Sequence, residues 1–322
     1  MFMSLSETIK NIESGRRLAI AGDEKILSGL PKGNWVGGTT PYFMAEDGGT
    51  IAKDKIYVHD FTDLSLTAII KSYAVDDLPK INEDAPEHGF SIIIIPAVSS
   101  AHFAYSQDAP NYPNFFMKPI LGWISGVHLD DLGKVLPRTF NGLTGESSDK
   151  DAVVIHCPIA QEKTPIVNII NLFDQGNGDT IKFEESGFSV KTCLIDGKKH
   201  NFAEYIKSKN IDIRLPLVAD YCGVMVNVSF HAARESDGVV EFYAPVFSGV
   251  EYKVAAPVGD YVDAFRKVLP RDVSPVFSCN CILNFLYSEL EGKSVEKMYG
   301  PITFGEIAYQ LLNQTLVYLE IK

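Results

Sequence analysis

The sequence has little of what holds small or unusual folds together. Its 322 residues include only five cysteines, at 157, 193, 222, 279 and 281. No CxxC pair occurs, and an odd number of thiols in a chain this long reads as reduced cysteine in a cytoplasm. The seven histidines, at 59, 88, 102, 128, 156, 200 and 231, are scattered without an HxxxH spacing, so neither a metal nor a cofactor is expected.

Positive charge is also scarce. Lys and Arg number 29 against 41 Asp and Glu, a formal net charge of −12, and no basic block of five or more occurs. Nucleic acid and anionic membrane surfaces are therefore not expected as partners. The most apolar runs, Ile92–Val98 and Val273–Tyr287, are too short or too polar to span a bilayer, which takes about 20 apolar residues. Residues 1–22 carry Glu7, Lys10, Glu13, Arg16 and Arg17 with no apolar core, so no signal peptide is read there and a cytoplasmic location is expected.

Familiar catalytic signatures are missing as well. There is no GxxxxGK[ST] phosphate loop, and Gly176-Asn177-Gly178 lacks the third glycine of a dinucleotide fingerprint. Gly122-Trp123-Ile124-Ser125-Gly126 places its serine one position too late for a nucleophile elbow. It reads as a tight packing or ligand-contact segment.

What is there is globular. Hydrophobic residues make up 46% of the chain, enough for a buried core, and the length suggests about two domains. Leu5, Ile9 and Ile12 fall at helical spacing, with Ser4 and Glu7 placed as a capping box and Gly15 as a terminator. Leu18–Ala21, Ile56–Phe61, Ser91–Val98, Asp151–Pro158, Pro165–Phe173, Gly223–Phe230 and Thr315–Ile321 read as strands. Further helices are expected around Phe202–Ile206, Val262–Leu269 and Ile282–Leu286. Strands that follow strands with few helices between them point to an α+β fold. The expectation is two similar sub-domains with mixed, largely antiparallel sheets flanked by helices. Asp174-Gln175-Gly176-Asn177-Gly178-Asp179 is the strongest turn signal, which puts the boundary between 1–178 and 179–322. One internal echo stands out. Gly37-Gly38-Thr39-Thr40-Pro41-Tyr42-Phe43 and Gly300-Pro301-Ile302-Thr303-Phe304-Gly305-Glu306 both set Gly and Thr on a turn ahead of a strand.

Two residues carry the candidate chemistry. Cys279 falls between an expected strand and the helix near Ile282, where a helix N-terminus lowers a thiol pKa. It is read as a structural thiol, a ligand contact or a nucleophile. Glu306 sits among apolar and small residues, where a carboxylate is costly unless paired. It is read as a partner for backbone N–H groups or a ligand amine, or as a structural glutamate. An enzyme with Cys279 as nucleophile and Glu306 as acid or base is the alternative to a binding module.

Val276-Phe277-Ser278-Cys279-Asn280, Gly300 to Ile307, and Asn313-Gln314-Thr315-Leu316-Val317 resemble the C-terminal part of FIST domains, sensory domains of intracellular signal transduction. Trp35-Val36-Gly37-Gly38-Thr39-Thr40 looks like the Gly-x-Thr-Thr segment near the start of that family. The resemblance implies a FIST N-like half over 1–178 and a FIST C-like half over 179–322. It implies a non-catalytic module that binds a small molecule, an amino acid or related metabolite, and passes that state to a separate signalling protein. The implied ligand-binding residues are Gly38, Thr39, Thr40, Tyr42, Cys279, Asn280, Thr303 and Glu306, around a pocket between the two halves. Where family members often carry Gly-Arg after Phe-Ser-Cys, this chain has Cys281-Ile282.

Overall fold

A computed structural model describes residues 1–221, 223–270 and 272–322; Cys222 lies outside the described residues. The chain is an α+β protein of mixed sheets and short helices. It divides into two units. The first comprises Met1–Ile170, Val268–Leu311 and Leu316–Lys322, and the second comprises Asn171–Lys267 with Leu312–Thr315.

That division differs from the expected cut at 178/179. The turn at 174–179 is a local signal, whereas strand pairing returns the end of the chain to the first unit. Gly300–Thr303 pairs with Tyr42–Ala45, Glu306–Ala308 pairs with Ile120–Ser125, and Thr315–Ile321 pairs with Phe277–Cys281, all antiparallel. The two echoing segments of the sequence are thus neighbours in one sheet, with Gly300 opposite Met44 and Pro301 opposite Phe43.

Three parallel pairs shape the first unit. Leu18–Gly22 runs beside Trp35–Thr39, Gly89–Pro96 beside Ile120–Ser125, and Phe277–Cys281 beside Gly300–Thr303. Ile92, Ile93, Ile94 and Ile95 are all fully buried. A strand covered on both faces has no polar side to alternate with, which accounts for its unbroken apolar run. The first helix, Leu5–Glu13, has the expected capping box. The Ser4 N–H donates to Glu7 Oε2 at 2.9 Å, and the Glu7 N–H returns a bond to Ser4 Oγ at 3.3 Å.

The second unit packs Phe183, Phe202, Phe230, Phe242 and Tyr252 between a six-stranded sheet and a three-stranded one. Its Leu312–Thr315 segment is held by amides. Gln314, at φ +49°, accepts from Ser229 Oγ at 2.7 Å and donates to the Arg214 carbonyl at 3.1 Å. The Asn-Gln-Thr stretch is therefore turn chemistry within this unit. No helix among the described residues is long and apolar enough to cross a membrane.

Candidate functional site

Parallel strands end on the same side, so the residues that follow them converge. Leu18–Gly22 leads into Asp23 and its parallel neighbour Trp35–Thr39 into Thr40, while Ile120–Ser125, a strand of another sheet, leads into Gly126. These ends frame a cavity of about 340 Å³ in the first unit, lined also by Pro41, Lys53, Val127, His128, Asp131 and Val135. The Gly126 N–H donates to the Thr39 carbonyl at 2.7 Å and closes the floor. Gly126 has no alternative there, because a Cβ would lie 1.9 Å from Cδ2 of Phe304.

The threonines spend their hydroxyls on the frame. Thr39 Oγ1 accepts the Arg138 N–H at 2.9 Å. Thr40 Oγ1 donates to the Ile302 carbonyl at 2.7 Å and accepts the Tyr42 N–H at 3.2 Å. Tyr42 is buried, and its hydroxyl accepts the Leu129 N–H at 3.0 Å. Burial raises the Tyr42 pKa, so the phenol stays neutral. Its ring stacks on His128, with centroids 5.7 Å apart and planes 17° apart. His128 Nδ1 accepts the Asp130 N–H at 3.2 Å, which assigns the proton of the neutral ring to Nε2. The imidazole is thereby fixed in orientation and tautomer on the cavity wall.

Opposite charges meet at the rim. Lys53 Nζ lies 2.6 Å from Asp131 Oδ2, and this bond raises the lysine pKa and lowers that of the aspartate. Arg138 Nε lies 2.8 Å from Glu24 Oε1. The segment between Gly126 and Arg138 is thus tied by ion pairs at Asp131 and Arg138. Exposed pairs of this kind are worth little for stability. Their chemical content is an ammonium and a carboxylate presented side by side.

The remaining expected site residues lie in the core of the same unit. Gly38 lets its strand pass against the Ile120–Ser125 strand, since a Cβ there would meet Ile94 Cγ2 at 2.5 Å and Trp123 Nε1 at 2.9 Å. Asn280 Oδ1 accepts the Cys281 N–H at 2.8 Å and the Asn284 amide at 3.0 Å. Thr303 Oγ1 has Glu306 Oε1 and the Gly305 carbonyl within 3.1 Å. Glu306 has no exposed surface.

Cys279 does not have the setting expected of a nucleophile. It lies within the Phe277–Cys281 strand, and the helix Ile282–Tyr287 starts beyond Cys281, which takes the N-cap position. Its thiol donates to the Gly122 carbonyl at 3.3 Å. Burial, then the charge of Glu306, raises its pKa well above the ordinary thiol value. The thiolate that nucleophilic attack requires is disfavoured.

The expected ligand-binding residues all lie in the first unit but do not face one cavity. Thr39 and Thr40 line the cavity and Tyr42 stacks on His128, while Gly38, Cys279, Asn280, Thr303 and Glu306 are buried and do not line it. Sequence reading missed Lys53, His128 and Asp131. Gly126 carried a signal, as the end of the segment read as tight packing or ligand contact. Among the described residues, no group of three or more His, Cys, Asp and Glu is arranged to hold a metal ion. A family model described as a family of unknown function matches residues 3–322. No curated protein and no solved structure matches the chain.

Proposed function

This chain belongs to the DUF6976 family, and we propose that it is a non-catalytic module that binds a small polar molecule in the cavity beside His128. The observation that carries this reading is the cavity itself. Its volume, about 340 Å³, is in the range of small-molecule sites, and its polar groups are already oriented. His128 is oriented by the Tyr42 stack and offers an Nε2–H donor set by the Asp130 N–H at Nδ1, and Lys53 and Asp131 offer one charge of each sign. A zwitterion such as an amino acid, or a related polar metabolite, matches that set. The sensory role, and a separate signalling protein as the receiver, rest on the resemblance to FIST domains.

Thermal-shift measurements against amino acids, nucleotides and small carboxylates test the reading. A ligand of the folded state at a hundredfold excess over Kd adds about 2.7 kcal/mol of stability. One chemical class is expected to raise Tm saturably, and His128→Ala and Lys53→Met are expected to abolish the rise. A flat screen on folded protein, or a shift that survives both substitutions, sinks the proposal.

A further inference from the structure

Both ends of the loop 126–138 are fastened to one residue. The Thr39 carbonyl accepts the Gly126 N–H at 2.7 Å, and the Thr39 N–H donates to the Arg138 carbonyl at 3.0 Å. Thr39 Oγ1 also accepts the Arg138 N–H at 2.9 Å. A loop of this length with adjoining ends is an Ω-loop, a class of about 6–16 residues that often carries function.

Between those ends the loop bonds mostly to itself. The Asp131 and Leu132 N–H groups donate to the His128 and Leu129 carbonyls, and those of Lys134 and Val135 both donate to the Asp131 carbonyl. Among the described residues, two polar groups of 127–137 bond outside the loop. The Leu129 N–H donates to the Tyr42 hydroxyl at 3.0 Å, and Asp131 Oδ2 accepts from Lys53 Nζ at 2.6 Å. The stack of His128 on Tyr42 is a third tie. Asp130 and residues 132–136 are exposed, while the buried Val127 and Pro137 adjoin the two fastened ends. The Lys53 and Asp131 side chains are 52% and 34% exposed, so their ion pair is a weak fastening.

The loop supplies Gly126, Val127, His128, Asp131 and Val135 to the cavity, and Lys53 faces it from outside the loop. We propose that 127–137 is a lid on this cavity, hinged at Thr39 and latched by the Lys53–Asp131 pair. Opening gives up one neutral hydrogen bond, one exposed ion pair and one ring stack. An open lid admits a small molecule and carries His128 and Asp131 away from it, so closure completes the site. The role of the lid as a gate rests on the reading of the cavity as a binding site; the motion itself does not.

Amide hydrogen exchange of the full chain without ligand, read at single residues by NMR, tests the motion. The Leu129 amide, bonded across the opening, is expected to be less protected than the Thr39, Gly126 and Arg138 amides at the hinge. Lys53→Met cuts the latch from outside the loop and Asp131→Ala cuts it from within. Each is expected to speed Leu129 exchange about two- to fivefold and leave the hinge amides unchanged. The double variant is expected to match the single ones, because both remove the same tie. Salt is expected to speed Leu129 exchange in the native sequence and not in the double variant. A Leu129 amide as protected as the hinge, or indifferent to both substitutions, overturns the lid. So does a double variant in which the two effects add. This exchange pattern in a protein that binds nothing in the thermal-shift screen would support the lid while the binding reading failed.

Discussion

A thiol reacts as its thiolate, so the surroundings of Cys279 decide its chemistry more than its neighbours in sequence. Buried, donating to the Gly122 carbonyl and beside Glu306, it is held protonated. Iodoacetamide is expected to leave Cys279 unmodified in the native protein and to alkylate it once the chain is unfolded, as read by peptide mass spectrometry. Rapid labelling of the native protein would contradict this. Glu306 was legible as a residue needing a partner, and Thr303 supplies one. His128 was not legible, because its meaning comes from the Tyr42 ring beneath it and the Asp130 N–H that fixes its tautomer.

At the scale of elements, amphipathic and capped segments could be read directly. The helix Leu5–Glu13 with its capping box, the strand Leu18–Gly22 and the last strand Thr315–Ile321 all stand where the pattern placed them. The strand Ile120–Ser125 escaped, since Gly122 breaks its short apolar run. Its end at Gly126 offers a clean steric test. With φ outside the left-handed region, the closest contacts of a Cβ in Gly126→Ala are with the Phe304 ring. It is expected to destabilise the protein by about 1–3 kcal/mol through overpacking, measured by urea unfolding. Phe304→Leu in the same chain is expected to restore part of that loss; equal losses in the single and double variants would disprove the assigned clash.

The molecule as a whole carries buried histidines, and they set its response to acid. His156 is fully buried between Ser91 Oγ at 2.7 Å and the Tyr73 hydroxyl at 2.9 Å, and Tyr73 in turn donates to Asp84 at 2.9 Å. Burial lowers the pKa of His156 to about 4 against the attraction of Asp84, and burial lowers that of His102 to about 4. His59, also buried, lies well below the ordinary value. The unfolded chain binds protons at these rings near pH 6.5, so it holds more protons than the folded one below that pH. Stability is therefore full above pH 6.5 and falls as the pH drops towards 4, by about 3 kcal/mol for each of His102 and His156. Melts across this window should show Tm falling with acid, and His156→Gln should flatten the slope. A Tm independent of pH from 6.5 to 4 would refute the linkage.

Composition and short-range pattern by themselves determined the α+β class, the capped first helix, the buried isoleucine strand and the residues needing partners. Such features follow from propensity and hydrophobic period, which act over a few residues. Only the tertiary structure decided the division into units and the site. Gly300–Thr303 and Glu306–Ala308 pair with strands from the first half of the chain, and Phe277–Cys281 lies beside Gly300–Thr303, by pairings that no local pattern encodes. The same pairings pack Cys279, Thr303 and Glu306 away from the cavity that Thr39, Thr40 and His128 line. What the far end of the chain brings decides which residues line the cavity and which are packed away from it.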